Sequence, residues 1–193
     1  MILLTFNISI PENNTQIKNK YNDNELILSI EKNTKIILQL LEIHGFLATF
    51  FVEVSIANRL EKLLKTISLS GHEIALYNVN SDIETITKTK ENLEEILEKP
   101  IRGMRQKSHR LPYSDIKKME FIYVSNIEES TINFLWRKLT GKTEIFSESG
   151  VTIVPESQSP YSQLPFNDYV LQVTPMKYYE NMLLESLKRE EYV

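Results

Sequence analysis

Few side chains in this sequence could support metal-dependent hydrolysis. His72, Glu73, Asp82 and His109 are of the types that bind a divalent cation, and no cysteine is present to supply a thiolate. His72 and Glu73 are neighbours on a predicted strand. Because alternate strand residues point to opposite faces, these two side chains cannot enter the same pocket. The four residues therefore form no convincing set of three ligands.

The three histidines occupy different kinds of position. His109 follows Arg105 where a predicted strand gives way to a loop, the edge at which βα folds place their sites, so a functional and a structural role stay equally open. His72 begins a strand, which favours a structural role. His44 lies in the last turn of a predicted helix, where a cation suits the helix dipole.

The other polar candidates have structural explanations as well. Ser81 begins a Ser-Asp-Ile-Glu segment that fits a capping box and so predicts a helix start. The position of Tyr77 on a predicted strand favours a role in packing. Arg105 could form an ion pair with any nearby carboxylate.

Length, composition and charge exclude several classes of function. The chain has 193 residues, 41% of them hydrophobic and 25% charged, which suits one α/β domain, 1–193, with one sizeable core. A net charge of -4 argues against a nucleic-acid partner. The apolar start, MILLTF, is too short for a membrane span and lacks the features of a signal peptide. We expect a cytoplasmic protein with no membrane partner.

Short β-rich runs alternate with helical periods, which predicts βαβ units around a mostly parallel sheet. The predicted strands are residues 1–10, Ala48–Val54, Glu73–Asn78, Ile101–Lys107 and Phe121–Ser125. Beyond residue 125 the pattern weakens. We expect a helix over Ile132–Leu139, strands over Thr143–Phe146 and Val151–Val154, and a closing amphipathic helix over Met176–Lys188.

The helices between the predicted strands follow from apolar spacing and caps. Residues 11–23 are predicted to be a loop, followed by a helix that starts at Asn33 or Thr34 and ends at Gly45. Its expected apolar face is Ile36, Ile37, Leu40, Leu41 and Ile43. Apolar positions at helical spacing predict three further helices: one carrying Leu60, Leu63, Leu64 and Ile67, one opened by Ser81 with Ile83, Ile86, Leu93, Ile96 and Leu97 inward, and one over Pro112–Met119.

Three segments, in order, resemble the polysaccharide deacetylase (NodB-homology) family. Residues 4–9 (LTFNIS) are similar to its opening strand motif, Thr-Phe-Asp-Asp or a variant with Asp-x-Glu. Residues 44–52 (HGFLATFFV) and 71–75 (GHEIA) look like its helix–turn–strand block and its "GHEIG" segment. Residues 99–105 (KPIRGMR) are similar to the "KPVRGFR" that precedes its Arg-x-Pro motif. The resemblance covers about the first two thirds of the chain.

The resemblance implies a distorted or incomplete (β/α) barrel and a metal-dependent removal of acetyl groups from sugars. In the family an Asp and two His hold a divalent ion such as zinc, which polarises the acetyl carbonyl and activates water. A second Asp is the general base, and the Arg of Arg-x-Pro orients it.

This sequence departs from the family pattern at the reacting groups. The base position falls on Asn7, and an amide cannot accept the proton of water near neutral pH. The carboxylate ligand position falls on Ile8, or on Ser9 in the Asp-x-Glu variant. The two histidine positions fall on Tyr77 and Ser81, which are poor ligands for a zinc-like ion.

The Pro of the Arg-x-Pro motif falls on Lys107, so only Arg105 remains of that motif. We therefore expect no metal cofactor and no catalysis. The candidate binding pocket is formed by Asn7, Tyr77, Arg105 and His109, for a glycan, a sugar derivative or a protein partner. Two alternatives stay open: an active metal-dependent deacetylase with a relocated site, and a scaffolding barrel with a vestigial pocket.

Overall fold

The computed structural model describes residues 4–10, 22–106, 111–126 and 145–155, and in the C-terminal part 175–178, 180, 181 and 184. Two compact units divide the chain: one is Leu3–Val154, and the other combines Met1–Ile2 with Pro155–Val193. In the second unit, the described residues from Met176 to Leu184 are helical, within the range where the sequence predicts a helix. A single domain over 1–193 stays a prediction.

Among the described residues, a seven-stranded sheet forms the centre of the first unit. Its strands are β1 (Leu4–Ile8), β2 (Ala48–Glu53), β3 (Glu73–Asn78), β4 (Gly103–Gln106), β5 (Tyr123–Asn126), β6 (Phe146–Glu148) and β7 (Val151–Pro155). Their order is β1-β2-β3-β4-β5-β7-β6, and each neighbouring pair from β1 to β5 is parallel, whereas β6 and β7 are antiparallel. The predicted α/β class is confirmed, with a mostly parallel sheet that is open rather than closed.

Helices connect the parallel strands. They are α1 (Asp23–His44), α2 (Glu61–Leu69), preceded by a 3-10 turn over Ala57–Leu60, α3 (Ile83–Leu97) and α4 (Tyr113–Lys118). None of the helices in the described ranges is long and apolar enough to cross a bilayer.

One face of the sheet packs against these helices and forms the core. Phe50, Val52, Leu76 and Met104 alternate with residues of the other face and are fully or almost fully buried. On α2, all four apolar residues predicted to face inward are buried, which confirms the predicted face: Leu60 at its start, then Leu63, Leu64 and Ile67. On α3, Ile86, Leu93 and Leu97 are buried, but Ile83 is 40% exposed.

Helix α1 begins about ten residues earlier than predicted. Asn22 caps it: its side-chain oxygen accepts from the Glu25 N–H at 3.0 Å, and the Glu25 carboxylate accepts from the Asn22 N–H at 2.8 Å. This reciprocal capping box stabilises a helix start within a polar, Asn-rich segment that the sequence analysis assigned to a loop. The predicted end is confirmed, because Gly45 adopts a left-handed conformation with φ 66°.

The predicted apolar face of α1 is also largely wrong. Leu26, Ile27, Leu38 and Leu41 point into the core. Only Leu41 was predicted to do so, and Ile37 is half-buried. The other predicted members, Ile36, Leu40 and Ile43, are exposed.

The cap of α3 is Asp82 rather than Ser81. The Asp82 carboxylate accepts from the Thr85 N–H at 2.7 Å, and this hydrogen bond lowers the pKa of Asp82 below its ordinary value. The Ser81 N–H instead donates to Asn78 Oδ1 at 2.8 Å. The predicted helix cap is therefore shifted by one residue, and the reciprocal bond of a capping box is not observed among the described contacts of Asp82.

The remaining predicted helices and strands agree with the observed ranges to different degrees. Strands β2 and β3 lie within the predicted ranges, whereas β4 and β5 each begin two residues later than predicted. Helix α4 and strand β7 form where expected, and the strand predicted over Thr143–Phe146 is observed as β6, further along the chain. The helix predicted over Ile132–Leu139 lies outside the described residues.

Gly103 opens β4 directly beneath the ring of Tyr123, its register partner on β5. A Cβ atom added at Gly103 would lie 2.0 Å from Tyr123 Cζ, closer than any two such atoms can approach. Glycine is therefore required at position 103 because the Tyr123 ring of the neighbouring strand lies so close to it, and not because of the backbone conformation.

We predict that Gly103→Ala lowers the free energy of unfolding by about 1–3 kcal/mol, because the ring must move within a packed face. Tyr123→Leu in the same chain should recover part of that loss, so the double variant is more stable than the sum of the single effects implies. Urea unfolding followed by circular dichroism measures this.

Gly45→Ala is the control, since nothing lies within 4 Å of its added Cβ and only the left-handed strain remains. Strictly additive effects of Gly103→Ala and Tyr123→Leu would contradict the steric account.

Candidate functional site

Four polar or aromatic residues occupy the same position on four strands. Asn7, Tyr77, Arg105 and Ser125 are each the last residue but one of β1, β3, β4 and β5. The register aligns Tyr77 with Arg105 and Arg105 with Ser125. All four lie on the sheet face opposite the helix-packed core. The carboxyl ends of parallel strands are where barrel-like α/β folds place their sites.

The Arg105 guanidinium is the centre of this arrangement. Its Nη1 donates to Asn7 Oδ1 at 2.7 Å, and its Nη2 donates to Thr5 Oγ1 at 3.1 Å and to Ser125 Oγ at 2.9 Å. Its Nε donates to Ser125 Oγ at 3.3 Å. The Arg105 side chain of β4 thus forms hydrogen bonds with uncharged acceptors on both β1 and β5.

This contact requires the sheet to curl. Strands β2 and β3 separate β1 from β4. Neighbouring strands lie about 4.8 Å apart, so a flat sheet would put β1 and β4 about 14 Å from each other. The hydrogen bond between Arg105 and Asn7 therefore places the two strands on a curved wall, as in a barrel.

Aromatic rings support the guanidinium from below. The Arg105 guanidinium carbon lies 3.9 Å from the centre of the Phe51 ring, a cation–π contact. Phe51 is buried and packs with Tyr77, Ala75 and Tyr123 in a small cluster separate from the main core. Tyr77 is itself 4% exposed, so its ring is a packing element of this face.

A second polar group lies on the same face, nearer the amino ends of the strands. Thr49 Oγ1 donates to the Glu73 carboxylate at 2.8 Å. Burial first, and then the negative charge of Glu73, raise the pKa of Tyr123 above its usual range. Tyr123 therefore stays protonated and acts as a hydrogen-bonding residue.

The positions that match the family's metal ligands lie in different environments. Ile8 is buried in the main core, on the opposite face of β1 from Asn7. Ser81 lies in the turn after β3, where its N–H donates to the buried Asn78. Ser9 lies beyond the end of β1, beside the cavity described below. These donors do not fit a zinc-like ion, which favours imidazole, thiolate and carboxylate groups.

No cluster of three or more His, Asp or Glu side chains able to hold a metal ion occurs among the residues that the structure describes. His72 has a structural role: its Nδ1 accepts from the Ala48 N–H at 3.3 Å, and its ring packs against Phe50. Burial lowers the pKa of His72, because desolvation disfavours the imidazolium form. His109, like Lys107, lies outside the described residues.

A cavity of about 540 Å³ lies between the end of β1 and helix α1. Its polar lining is Asn7, Ser9, Glu25, Ser29, Asn33 and Thr34, and its apolar lining is Ile8, Leu26, Ile30 and Ile37. Asn7 is shared with the Arg105 network. Tyr77 and Arg105, which the sequence analysis placed in the candidate pocket, do not line this cavity.

Sequence reasoning missed several residues of the site. Thr5, Phe51 and Ser125 all contact Arg105, and none was singled out. Strand alternation could have found Thr5, which lies two residues before Asn7 and so points to the same face. Glu53, whose carboxylate accepts from the Ile10 N–H at 3.0 Å, could have been found in the same way, two residues after Phe51.

Solved structures share this fold. One is a Mycobacterium smegmatis protein described as a polysaccharide deacetylase, with a TM-score of 0.57 and 17% identity over 97% of this chain and 71% of that chain. Another is the PuuE allantoinase, with a TM-score of 0.53 and 14% identity over 79% of this chain and 52% of that chain. A third is a wild-type CE4-family pseudoenzyme of Bacillus anthracis, with a TM-score of 0.50 and 14% identity over 98% of this chain and 61% of that chain.

No protein-family model and no curated protein matches the sequence. At 14–17% identity, the structural likenesses show the fold, which is that of polysaccharide deacetylases and of a CE4-family pseudoenzyme. The chain spans between about half and seven tenths of the length of these structures. The predicted barrel-type deacetylase fold is therefore confirmed.

We predict that His72 makes stability depend on pH. Its folded-state pKa lies below the unfolded value of about 6.5, so the unfolded chain binds more protons as the pH falls through that value. The free energy of unfolding should decrease from about pH 7.5 to pH 5.5. In His72→Gln, which retains an acceptor for Ala48, the decrease should be smaller. Urea unfolding at both pH values tests this, and equal decreases in the two proteins would refute it.

Proposed function

We propose that this chain is a polysaccharide deacetylase-like protein without deacetylase activity, and that it acts by binding a carbohydrate derivative at the carboxyl end of β1. The observation that carries the proposal is the 2.7 Å hydrogen bond from Arg105 to Asn7. It puts an amide oxygen, already accepting from a cation, at the position that matches the family's general base.

The chemistry of Asn7 argues against proton transfer. The lone pair of an amide nitrogen is delocalised, and the amide oxygen is not basic near neutral pH. With Oδ1 directed to Arg105, the amide group remains a hydrogen-bond donor beside the cavity. Such a group can orient a ligand, but it cannot activate water.

The matched ligand positions argue against a metal ion. Ile8 belongs to the core and Tyr77 to the Phe51 cluster, so neither offers a charged oxygen to a cation. Replacing Ile8 by Asp would bury a carboxylate among apolar side chains, which costs several kcal/mol or raises its pKa. The residues that replace the family's metal ligands at these two positions are thus part of the packed interior.

The cavity supports binding rather than a purely scaffolding role. Its volume of about 540 Å³ falls in the range of small-molecule sites. Amide and hydroxyl groups provide most of the polar lining among the described residues, and the carboxylate of Glu25 in that lining also caps α1. Neutral donors and acceptors over an apolar floor suit a ligand that carries hydroxyl and acetamido groups.

We predict that the purified protein contains no zinc, cobalt or nickel at stoichiometric occupancy and releases no acetate from N-acetylglucosamine oligomers. Inductively coupled plasma mass spectrometry and an acetate assay with added metal measure the two outcomes. Asn7→Asp is the matched variant: it restores a carboxylate beside Arg105 but provides no metal ligand set, so it should also be inactive. One tightly bound divalent ion, or chelator-sensitive acetate release by the wild type, would overturn this.

We predict that the tetramer of N-acetylglucosamine binds at the cavity and shifts amide resonances of β1 and α1 in an NMR titration. Thr34→Val keeps the shape of a buried lining residue but removes its hydroxyl, and should weaken binding about three- to tenfold. Thr87→Val, the same change on α3, is the control. Absence of shifts at millimolar tetramer, or equal effects of the two variants, would rule out binding at this cavity.

A further inference from the structure

The C-terminal half of α1 exposes a set of large apolar side chains. Ile36, Leu40 and Ile43 are 48%, 53% and 74% exposed, and Phe46 and Leu47, which follow the helix, are 56% and 68% exposed. We refer to these five residues as the outer patch. None of them lines the cavity between β1 and α1.

The helical residues of the outer patch lie on the side of α1 that faces away from the core. Residues three and four apart share one side of a helix, which groups Ile36, Leu40 and Ile43 together. The buried residues of the same half, Leu38 and Leu41, lie on the other side. This half of α1 therefore has two apolar faces, and the sheet covers only one of them.

Two opposite charges lie along one flank of the patch. Lys35 and Glu42 are exposed and seven residues apart, which places them two turns from each other on the same side of the helix. Within the described part of the chain, neither takes part in an ion pair. Because the cation precedes the anion along the helix, the charges on this flank differ between the two ends of the patch.

We propose that the outer patch is the interface of a symmetric dimer, in which two copies of α1 pack antiparallel. A two-fold axis makes residue i of one copy meet residue j of the other, and the reverse. In the antiparallel arrangement, Lys35 of each copy meets Glu42 of the other. In a parallel two-fold arrangement, the flank that carries Lys35 and Glu42 would lie on opposite sides of the interface in the two copies, so these charges would not pair with each other.

The size of the patch sets the strength of the dimer. Typical monomers expose a largest apolar patch of about 300–600 Å², and stable interfaces bury about 800 Å² on each partner. The outer patch has five side chains, fewer than the roughly 20–30 residues that each partner contributes to a standard interface. An interface this small favours a weak dimer, which forms only at high protein concentration.

Sedimentation velocity of the full chain, from about 5 to about 500 µM, tests the proposal. The wild type is expected to change from monomer to dimer over this range. Lys35→Glu and Glu42→Lys should each weaken the dimer about five- to tenfold, and the double variant Lys35→Glu/Glu42→Lys should restore it. Ile43→Lys, which puts a charge within the patch, should abolish it.

Glu95→Lys on α3 is the matched control, because it makes the same charge change as Glu42→Lys at an exposed position on a different helix. Circular dichroism confirms that each variant is folded. A monomer at every concentration would overturn the proposal. A dimer that Ile43→Lys or the single charge changes leave intact would do the same, since it would use another surface.

Discussion

One guanidinium, that of Arg105, connects strands that are not neighbours in the sheet. It donates to Thr5 and Asn7 of β1 and to Ser125 of β5, and it lies on the ring of Phe51 of β2. These contacts exist only because the sheet curls toward this face. The curled wall, in turn, brings the carboxyl ends of β1, β3, β4 and β5 together, so the candidate site and the curvature depend on the same side chain.

The strands could be predicted because their local and global signals agree. In β2, the run of β-branched and aromatic residues is buried on both faces, Phe50 on the core and Phe51 under Arg105. Helix α1 could not be predicted as well. Asn22 and Glu25 form their capping box within a polar segment, and the C-terminal half has two apolar faces, so periodicity alone did not decide whether Leu40 or Leu41 faces the core.

The candidate site, like the fold, could be predicted only in part. That Asn7 and Arg105 have side chains suited to one site followed from their motifs, but a hydrogen bond between residues 98 apart in sequence depends on the curvature, which no local pattern encodes. The structural role of His72 followed from its place at a strand start, and its hydrogen bond to Ala48 agrees with that. The cap of α3 shows the limit of spacing arguments, because Ser81 and Asp82 are both good capping residues and only the backbone geometry selects Asp82.

The two glutamates on this face of the sheet have local partners. Glu53 accepts from the Ile10 N–H and from Ser55, and Glu73 accepts from Thr49 and raises the pKa of Tyr123. Asn7 accepts a hydrogen bond from Arg105 on the same face. The polar side chains of this face thus hydrogen-bond to one another, and Asn7 also lines the cavity beside α1.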